Sequence, residues 1–334
     1  MKFDFTLWIT VSTVMLLTAI FPISASADLV VTNVLGEQRP GTDLVDVYYD
    51  LDAANSSSVS VRLQVSDDSG SNWSVPVVNV SQDVGPNVPS GHGKHILWNA
   101  GADWNGKVSK NVRFKVIASD AASLRSGLVA YYPFDGDAND ASGNGNDGII
   151  HGGVTFVPGR TGFAAQFNGA NGFVSVANCP ALDLTSTFTL SAWIYQSATQ
   201  GDGYRIVDKC PAGTASGWTF DTYGNHGNGH QLRFQTVGPS VLGSTDYSLS
   251  VWHHVVATVS DTTVKVYVDG LQDGEGIVGQ IPSNSLDIFI GAPHAYGPWG
   301  VREYFNGLID DVRIYNRALS AAEVEQLYNY SEPL

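Results

Sequence analysis

The sequence is poor in cysteine and in basic residues. It has 2 Cys among 334 residues, and 17 Lys and Arg against 32 Asp and Glu. So few cysteines exclude a small scaffold that depends on several disulfides. The formal net charge of −15 repels polyanions, which argues against nucleic acid and anionic lipid as partners.

Motifs of common catalytic sites are also missing. The sequence contains no H-E-x-x-H and no G-x-S-x-G, the signatures of one zinc protease class and of the α/β-hydrolase nucleophile. A glycosidase needs two carboxylates across one bond, yet no strand carries alternating acidic residues with glutamates. Glu303 is the only plausible acid, and it has no obvious partner. The sequence therefore predicts a non-catalytic protein, and a glycan-active enzyme is the least favoured alternative.

One long, mostly apolar run stands at the start of the chain. Lys2 precedes it, the run extends over residues 5–23, and Ala25-Ser26-Ala27 follows. This order predicts a secretory signal peptide over residues 1–27, with an uncleaved membrane anchor as the alternative. The mature protein is then secreted, periplasmic or on the cell surface, and it is not held in a membrane. In an oxidising compartment Cys179 and Cys210 could form a disulfide, or they could remain two buried thiols.

The mature chain is predicted to form two domains. Residues 28–122 carry short, alternating apolar runs between turn clusters, which is typical of a small antiparallel sandwich. The small, polar stretch at 119–127 marks the boundary, so the second domain is expected over 123–334.

Three stretches of the first domain, QRPGTDLVDVYYDL, LQVSDDSGSNW and GKHILWNAGADW, resemble a fibronectin- or immunoglobulin-like module of secreted bacterial proteins. The resemblance implies core or turn-packing roles for Trp73, Trp98 and Trp104. The alternative is that these tryptophans form an exposed stacking platform.

The second segment is also all-β. About twelve strand-like runs predict a large two-sheet sandwich. Asp269-Gly270 is a strong signal for a tight hairpin. A single helix is expected at the end, in LSAAEVEQLY, where Ser320 and Glu323 form a capping box.

Blocks of this segment resemble the concanavalin A-like, laminin G-like family. They are LVAYYPFDGDANDASGNGNDGII with AAQFNGANGFVSV, then FTLSAWIY with WHHVVATV and VKVYVDG, and finally FNGLIDDVRIYNRALSAAEVEQLY. The resemblance implies a jelly roll of two curved antiparallel sheets. It also implies extracellular binding of carbohydrate or protein, often a structural calcium ion, and rarely catalysis.

The acidic loop DGDANDASGNGNDG at 135–148 is the clearest candidate for a metal site. It does not fit an EF-hand, because position 6 is not Gly and position 12 is not Glu. The family resemblance brings this loop close to the last strand. The expected calcium ligands are drawn from Asp135, Asp137, Asn139, Asp140, Asp310 and Asp311. The alternative is that the loop only forms turns that its aspartates cap.

Sugar binding needs flat apolar surfaces and polar groups for the hydroxyls. The loops at 217–230 and 291–304 have this composition. The candidate residues are Trp299, Tyr296, His294, Tyr223, His226, His230, Trp218 and Tyr304. Trp218 and Tyr304, at strand edges, could instead pack in the core.

These patterns together predict a secreted, non-catalytic protein whose jelly roll binds carbohydrate with calcium as structural support. The rival prediction is an adhesive or structural surface protein whose jelly roll binds protein partners.

Overall fold

A computed structural model describes residues 29–53, 59–197, 203–210, 216–224, 230–236, 238–294 and 303–329. The chain forms two compact units, one up to Ser123 and one from Leu124. The predicted signal peptide, residues 1–27, lies outside the described residues. Within the described ranges, no helix is both long enough and apolar enough to cross a membrane.

The first unit is a two-sheet antiparallel sandwich with a short helix between its last two strands. The strands are β1 (Val30–Gln38), β2 (Leu44–Asp52), β3 (Val59–Ser66), β4 (Val80–Gln82), β5 (Gly85–Val88), β6 (Gly91–Asn99) and β7 (Arg113–Ser119), and the helix is α1 (Ala100–Asp103). One sheet has the order β1-β2-β6-β4 and the other the order β5-β3-β7. The expected small sandwich is therefore confirmed.

Alternation along the strands builds the core of the first unit. In β3, apolar residues are buried at every second position up to Val65, because successive side chains point to opposite faces. Trp98 is buried in this core, and its Nε1 donates to Asp103 at 2.9 Å. Trp104 is partly buried against the same core. These two tryptophans pack as the resemblance implied.

The second unit begins within the short helix α2 and contains two larger antiparallel sheets. Its helices are α2 (Ala121–Arg125) and α3 (Ala321–Asn329). Its strands are β8 (Leu128–Tyr132), β9 (Gly148–His151), β10 (Thr155–Pro158), β11 (Phe163–Asn168), β12 (Phe173–Val176), β13 (Thr187–Gln196), β14 (Tyr204–Asp208), β15 (Trp218–Tyr223), β16 (Gln231–Thr236), β17 (Ser240–Leu242), β18 (Trp252–Ser260), β19 (Thr263–Val268), β20 (Leu271–Ile277), β21 (Ile288–Ile290) and β22 (Asn306–Tyr315).

The eight-stranded sheet has the order β10-β11-β22-β13-β18-β19-β20, and β8 also pairs with β22. The seven-stranded sheet has the order β17-β16-β15-β14-β21-β12-β9. The two sheets enclose one large apolar core, which includes Leu190, Ile194, Phe220 and Phe234. The predicted all-β architecture is confirmed. The side of each sheet that faces away from this core is called its outer face below.

The closing helix packs on the outer face of the eight-stranded sheet. Val324 and Leu327 of α3 are buried in a cluster with Val256 and Tyr267. Its start is the predicted capping box: Glu323 N donates to Ser320 Oγ at 3.3 Å, and Ser320 N donates to Glu323 Oε2 at 2.9 Å.

The tight hairpin between β19 and β20 also forms where the sequence predicts it. Asp269 and Gly270 have φ values of 51° and 81°. Positive φ at both central residues is the requirement of a type I′ turn, which matches the twist of the flanking strands.

Cys179 and Cys210 are partly buried and are not joined to each other by a disulfide in this structure. Cys179 follows β12 and Cys210 follows β14, and these strands pair with opposite sides of β21. These two strands lie about 10 Å apart, two strand spacings, whereas a disulfide usually joins Cα atoms less than about 7 Å apart. The Cys179 thiol instead donates to Asn146 Oδ1 at 3.3 Å.

Candidate functional site

Several polar side chains of the acidic loop at 135–148 form hydrogen bonds that hold the turns of the loop itself. Asp137 accepts hydrogen bonds from the backbone and side-chain nitrogens of Asn139, at 2.9 and 2.7 Å. Asp140 accepts from the backbone nitrogens of Tyr131, Ser142 and Asn146, each at 2.9 Å. The capping alternative therefore accounts for Asp137, Asn139 and Asp140.

Asp135 and Asp310 are different, because both contact the loop between β10 and β11. Asp310 Oδ2 accepts from the backbone N of Arg160 at 2.9 Å. Asp135 Oδ1 accepts from Phe163 N at 2.7 Å. A Cβ on Gly162 would lie 2.1 Å from Asp135 Oδ1. Each of these two carboxylates thus contacts the segment at 159–163.

Asp310 is a buried carboxylate with an incomplete set of partners. It is 1% exposed, and its Oδ1 has no hydrogen-bond partner. Burial, with a further contribution from the charge of Asp311, raises the pKa of Asp310 to about 8. Without a cation this carboxyl is therefore mostly protonated at neutral pH, and a bound cation would favour its ionised form.

Asp311 has other partners and is not needed as a metal ligand. Regular alternation would point it away from Asp310, but pairing with β13 shifts register here and Asp311 has a φ of 52°. Its Oδ1 accepts from Tyr131 Oη at 2.5 Å and from Arg313 Nη2 at 3.2 Å. The Asp311 charge is thereby committed to a buried arginine.

The donor set around Asp310 suits calcium better than a transition metal. In the part of the chain that the structure describes, no group of three or more His, Cys, Asp or Glu side chains could hold a metal ion. Calcium, however, takes backbone carbonyls and waters along with carboxylates. Asp135, Asp310 and carbonyls of the loop at 159–163 could supply such oxygens.

The predicted sugar-binding residues have different environments. Tyr223 ends β15 on the outer face of the seven-stranded sheet, and the Arg233 guanidinium lies 4.4 Å from its ring centroid. His230 packs its ring on Tyr247, and Tyr304 is partly buried. His226, Tyr296 and Trp299 lie outside the described residues.

Two candidates have structural roles instead. Trp218 is fully buried, and its Nε1 donates to Leu184 O at 3.1 Å, so this residue belongs to the core as the alternative reading held. His294 stacks on Phe289 with ring centroids 3.9 Å apart, and its Nδ1 lies 3.0 Å from Asp208 Oδ2.

A charged network occupies the outer face of the seven-stranded sheet. It is called the arginine network here and consists of Arg205, Asp208, Asp221, Arg233 and Glu303. Asp221 stands on the middle strand, directly opposite Arg205 on one side and Arg233 on the other. Arg233 binds it through two nitrogens, at 2.7 and 2.8 Å, and Arg205 Nη1 binds it as well.

The arginine network continues to a carboxylate at the surface. Arg205 Nη2 lies 2.7 Å from Glu303 Oε2. The side chains of Arg205, Arg233 and Glu303 are 15%, 13% and 38% exposed, whereas Asp221 is 0% exposed. Burial raises the pKa of Glu303, and Arg205 opposes this shift. Guanidinium donors and carboxylate acceptors are thus held at one partly exposed place beside Tyr223, a combination that can bind hydroxyl groups.

An aromatic ladder extends across the same sheet. The ring centroids of His151 and Phe173 are 4.3 Å apart, and those of Phe173 and Phe289 are 4.7 Å apart. The ladder ends at His294, which stacks on Phe289. Since the ring faces contact one another, the ladder stabilises cross-strand pairing and offers mainly ring edges to a ligand.

The sequence reasoning missed both the arginine network and the ladder. Strand alternation in WTFDTY and QLRFQT turns Asp221 and Arg233 away from the core, a signal that was present in the sequence but was not used. The pairing register that brings them face to face has no local signature.

The two packed antiparallel sheets of the second unit form a concanavalin A-like jelly roll, and one outer face carries the arginine network. Residues 168–325 match the family model described as "Concanavalin A-like lectin/glucanases superfamily". The predicted membership of this segment in the concanavalin A-like, laminin G-like family is confirmed. Residues before 168 lie outside the match.

Three solved structures share the fold. Domain 4 of AbnA, an extracellular GH43 arabinanase from Geobacillus stearothermophilus solved with arabinotriose, has a TM-score of 0.50 and 22% identity over 60% of this chain and 98% of its own. The binding domain of Paraclostridial Mosquitocidal Protein 1 has a TM-score of 0.51 and 21% identity, covering 62% and 52%. The binding domain of botulinum neurotoxin serotype C1 has a TM-score of 0.51 and 17% identity, covering 63% and 53%.

One curated relative matches in sequence. It is adhesion G-protein coupled receptor V1 of Danio rerio, 28% identical in a 156-residue alignment that covers 44% of this chain. The matched region spans 2% of that receptor's length.

Proposed function

We propose that this is a secreted, non-catalytic protein that binds carbohydrate through its second unit, with a structural calcium ion. The observation that carries the binding role is the outer face of β14, β15 and β16. There, partly exposed arginine and glutamate side chains stand next to an aromatic ring, on a jelly-roll fold. Two toxin binding domains share this fold, and so does an arabinanase domain that was solved with arabinotriose, which supports a binding role. The first unit serves as a spacer or interaction module.

Glycan binding is tested with the purified protein on a panel of polysaccharides. We expect saturable binding without release of reducing ends. Tyr223→Ala should weaken it about tenfold, which corresponds to about 1.4 kcal/mol, because a ring at the edge of the arginine network is lost.

The matched control is Tyr195→Ala. Tyr195 is also partly buried, but it lies on the eight-stranded sheet and packs on Trp252. Equal losses in both variants would contradict the proposed location. Absence of binding to every glycan would contradict the carbohydrate function, and release of reducing ends would establish an enzyme.

Calcium would be held by Asp310, Asp135 and carbonyls of the loop at 159–163. It would neutralise the buried Asp310 carboxylate and connect the last strand to the start of the jelly roll. Binding to the folded state alone stabilises it by about 2.7 kcal/mol when free calcium is one hundred times the dissociation constant.

We therefore expect EDTA to lower the unfolding temperature of the second unit and calcium to restore it. Asp310→Asn should abolish this response, because the amide lacks the charge that calcium requires. Asp137→Asn is the control and should retain the response, since Asp137 bonds only to Asn139 among the described contacts. The calcium proposal fails if the wild type shows no response or if Asp310→Asn responds fully.

A second candidate function is adhesion to a protein partner. Strand β1 lies at the edge of its sheet, and Val30, Leu35 and Tyr48 near this edge are 43%, 42% and 42% exposed. Exposed apolar side chains on an edge strand favour protein contacts. Capture of a defined extracellular protein, without binding to any glycan, would favour this candidate.

A further inference from the structure

The charges of the arginine network bear on which ligands this face can bind. Two guanidinium groups face three carboxylates, from Asp208, Asp221 and Glu303. Asp221 takes both guanidinium groups at once, so neither arginine is left as an unbalanced cation. The arginines and carboxylates together carry one net negative charge, and His294 adjoins them only at the buried Asp208, with its Nδ1 3.0 Å from Asp208 Oδ2.

The geometry also decides which sign of charge a ligand meets. Asp208 and Asp221 are 1% and 0% exposed, whereas the Glu303 side chain is 38% exposed and is the most accessible member of the network. Arg205 N donates to Glu303 O at 3.1 Å, which fixes this part of the chain beside the strand. An approaching ligand therefore meets a fixed carboxylate before it reaches the arginines.

We infer that this face selects uncharged saccharides and rejects saccharides that carry carboxylate or sulfate groups. The inference rests on the proposed function and specifies its ligand class. Neutral hydroxyls can accept from the guanidinium edges and donate to Glu303 without a change in charge. An anionic group would have to displace Glu303 from Arg205 or face it across a short distance, and like charges at close range in a partly buried site repel strongly.

The experiment compares each neutral polysaccharide that binds with its own oxidised form, in which primary alcohols have become carboxylates. Binding is measured by calorimetry at low ionic strength, where charge effects are least screened. We expect the oxidised form to bind at least about tenfold more weakly, with the difference shrinking as salt is added.

Two variants locate the effect. Glu303→Gln removes the exposed carboxylate and keeps the shape of the side chain. The ratio of the affinities for the neutral and the oxidised polysaccharide, called the discrimination here, should then fall to about threefold or less, because a nearby charge is removed. Glu275→Gln makes the same change in net charge on β20 of the other sheet, where Glu275 is 48% exposed, and it should keep the wild-type discrimination.

The outcomes separate this inference from the proposed function. Tight binding of the oxidised form overturns the inference while glycan binding stands. A discrimination that Glu275→Gln reduces as much as Glu303→Gln also overturns it, because the effect then comes from the overall charge of the protein. Binding of the oxidised forms alone overturns the inference, and no binding of any glycan, neutral or oxidised, overturns the proposed function itself.

Discussion

Asp221→Asn is expected to lower the free energy of unfolding of the second unit by about 3 to 5 kcal/mol, the range found when one partner of a buried ion pair is removed. Asp221 is 0% exposed, and Arg205 and Arg233 both bind it. Without its charge, two guanidinium groups remain close together in a largely buried place. Their mutual repulsion adds to the cost of desolvation, and the amide side chain can accept only part of their hydrogen bonds.

The measurement is urea unfolding of the whole chain, followed by hydrogen exchange in peptides of the second unit. Asp261→Asn is the matched control, because Asp261 is exposed at a φ of 54° in the turn after β18, where Asn is well tolerated. This variant should stay within about 0.5 kcal/mol of the wild type. Adding Arg233→Gln to Asp221→Asn should recover part of the loss. A stable Asp221→Asn variant would show that the arginines do not depend on this carboxylate.

Trp218→Ala is expected to destabilise the second unit by about 3 to 5 kcal/mol, the typical cost of truncating a large buried aromatic side chain. Trp218 is fully buried beside Phe188 and Phe234, with ring centroids at 5.5 and 6.5 Å. The truncation leaves a cavity between the sheets and deprives Leu184 O of its donor.

This variant also distinguishes a core role from a ligand role for Trp218. Trp252→Ala is the control, since Trp252 is partly exposed at the start of β18, and it should cost clearly less. Unfolding in urea, measured without glycan, reports the core role directly. If Trp218→Ala kept the wild-type stability and lost only glycan binding, the residue would be a ligand contact and its position in the core would be wrong.

Local features of the second unit were predictable from the sequence. The capping box at Ser320 and Glu323 depends on residues three apart, and the hairpin turn at Asp269-Gly270 depends on neighbours. In both cases the groups that interact are joined by a few bonds of the backbone, so their spacing determines which contacts they can make. Strand alternation has the same local origin, because successive side chains of a strand point to opposite faces.

The acidic loop shows the limit of this reasoning. Its composition suits both a calcium site and tight turns capped by aspartates. Asp137 and Asp140 bond to nearby backbone nitrogens, which the spacing allows. Asp310 and its neighbour Asp311 have different environments for two reasons. The pairing of β22 with β13 shifts register here, and Asp310 contacts a loop that lies more than one hundred residues earlier in the chain. No local pattern distinguishes these two aspartates.

By itself, the sequence determined the all-β architecture, the closing helix and the family of the jelly roll, because alternation, capping and turn chemistry act over a few residues. Only the tertiary structure decided that Trp218 packs in the core, that Asp310 is buried with an unpaired oxygen, and that Asp221 stands between two arginines. These outcomes depend on the register between strands distant in sequence. Burial and pairing over the whole sheet select that register, because a shift of one residue would turn every side chain of the strand to the opposite face.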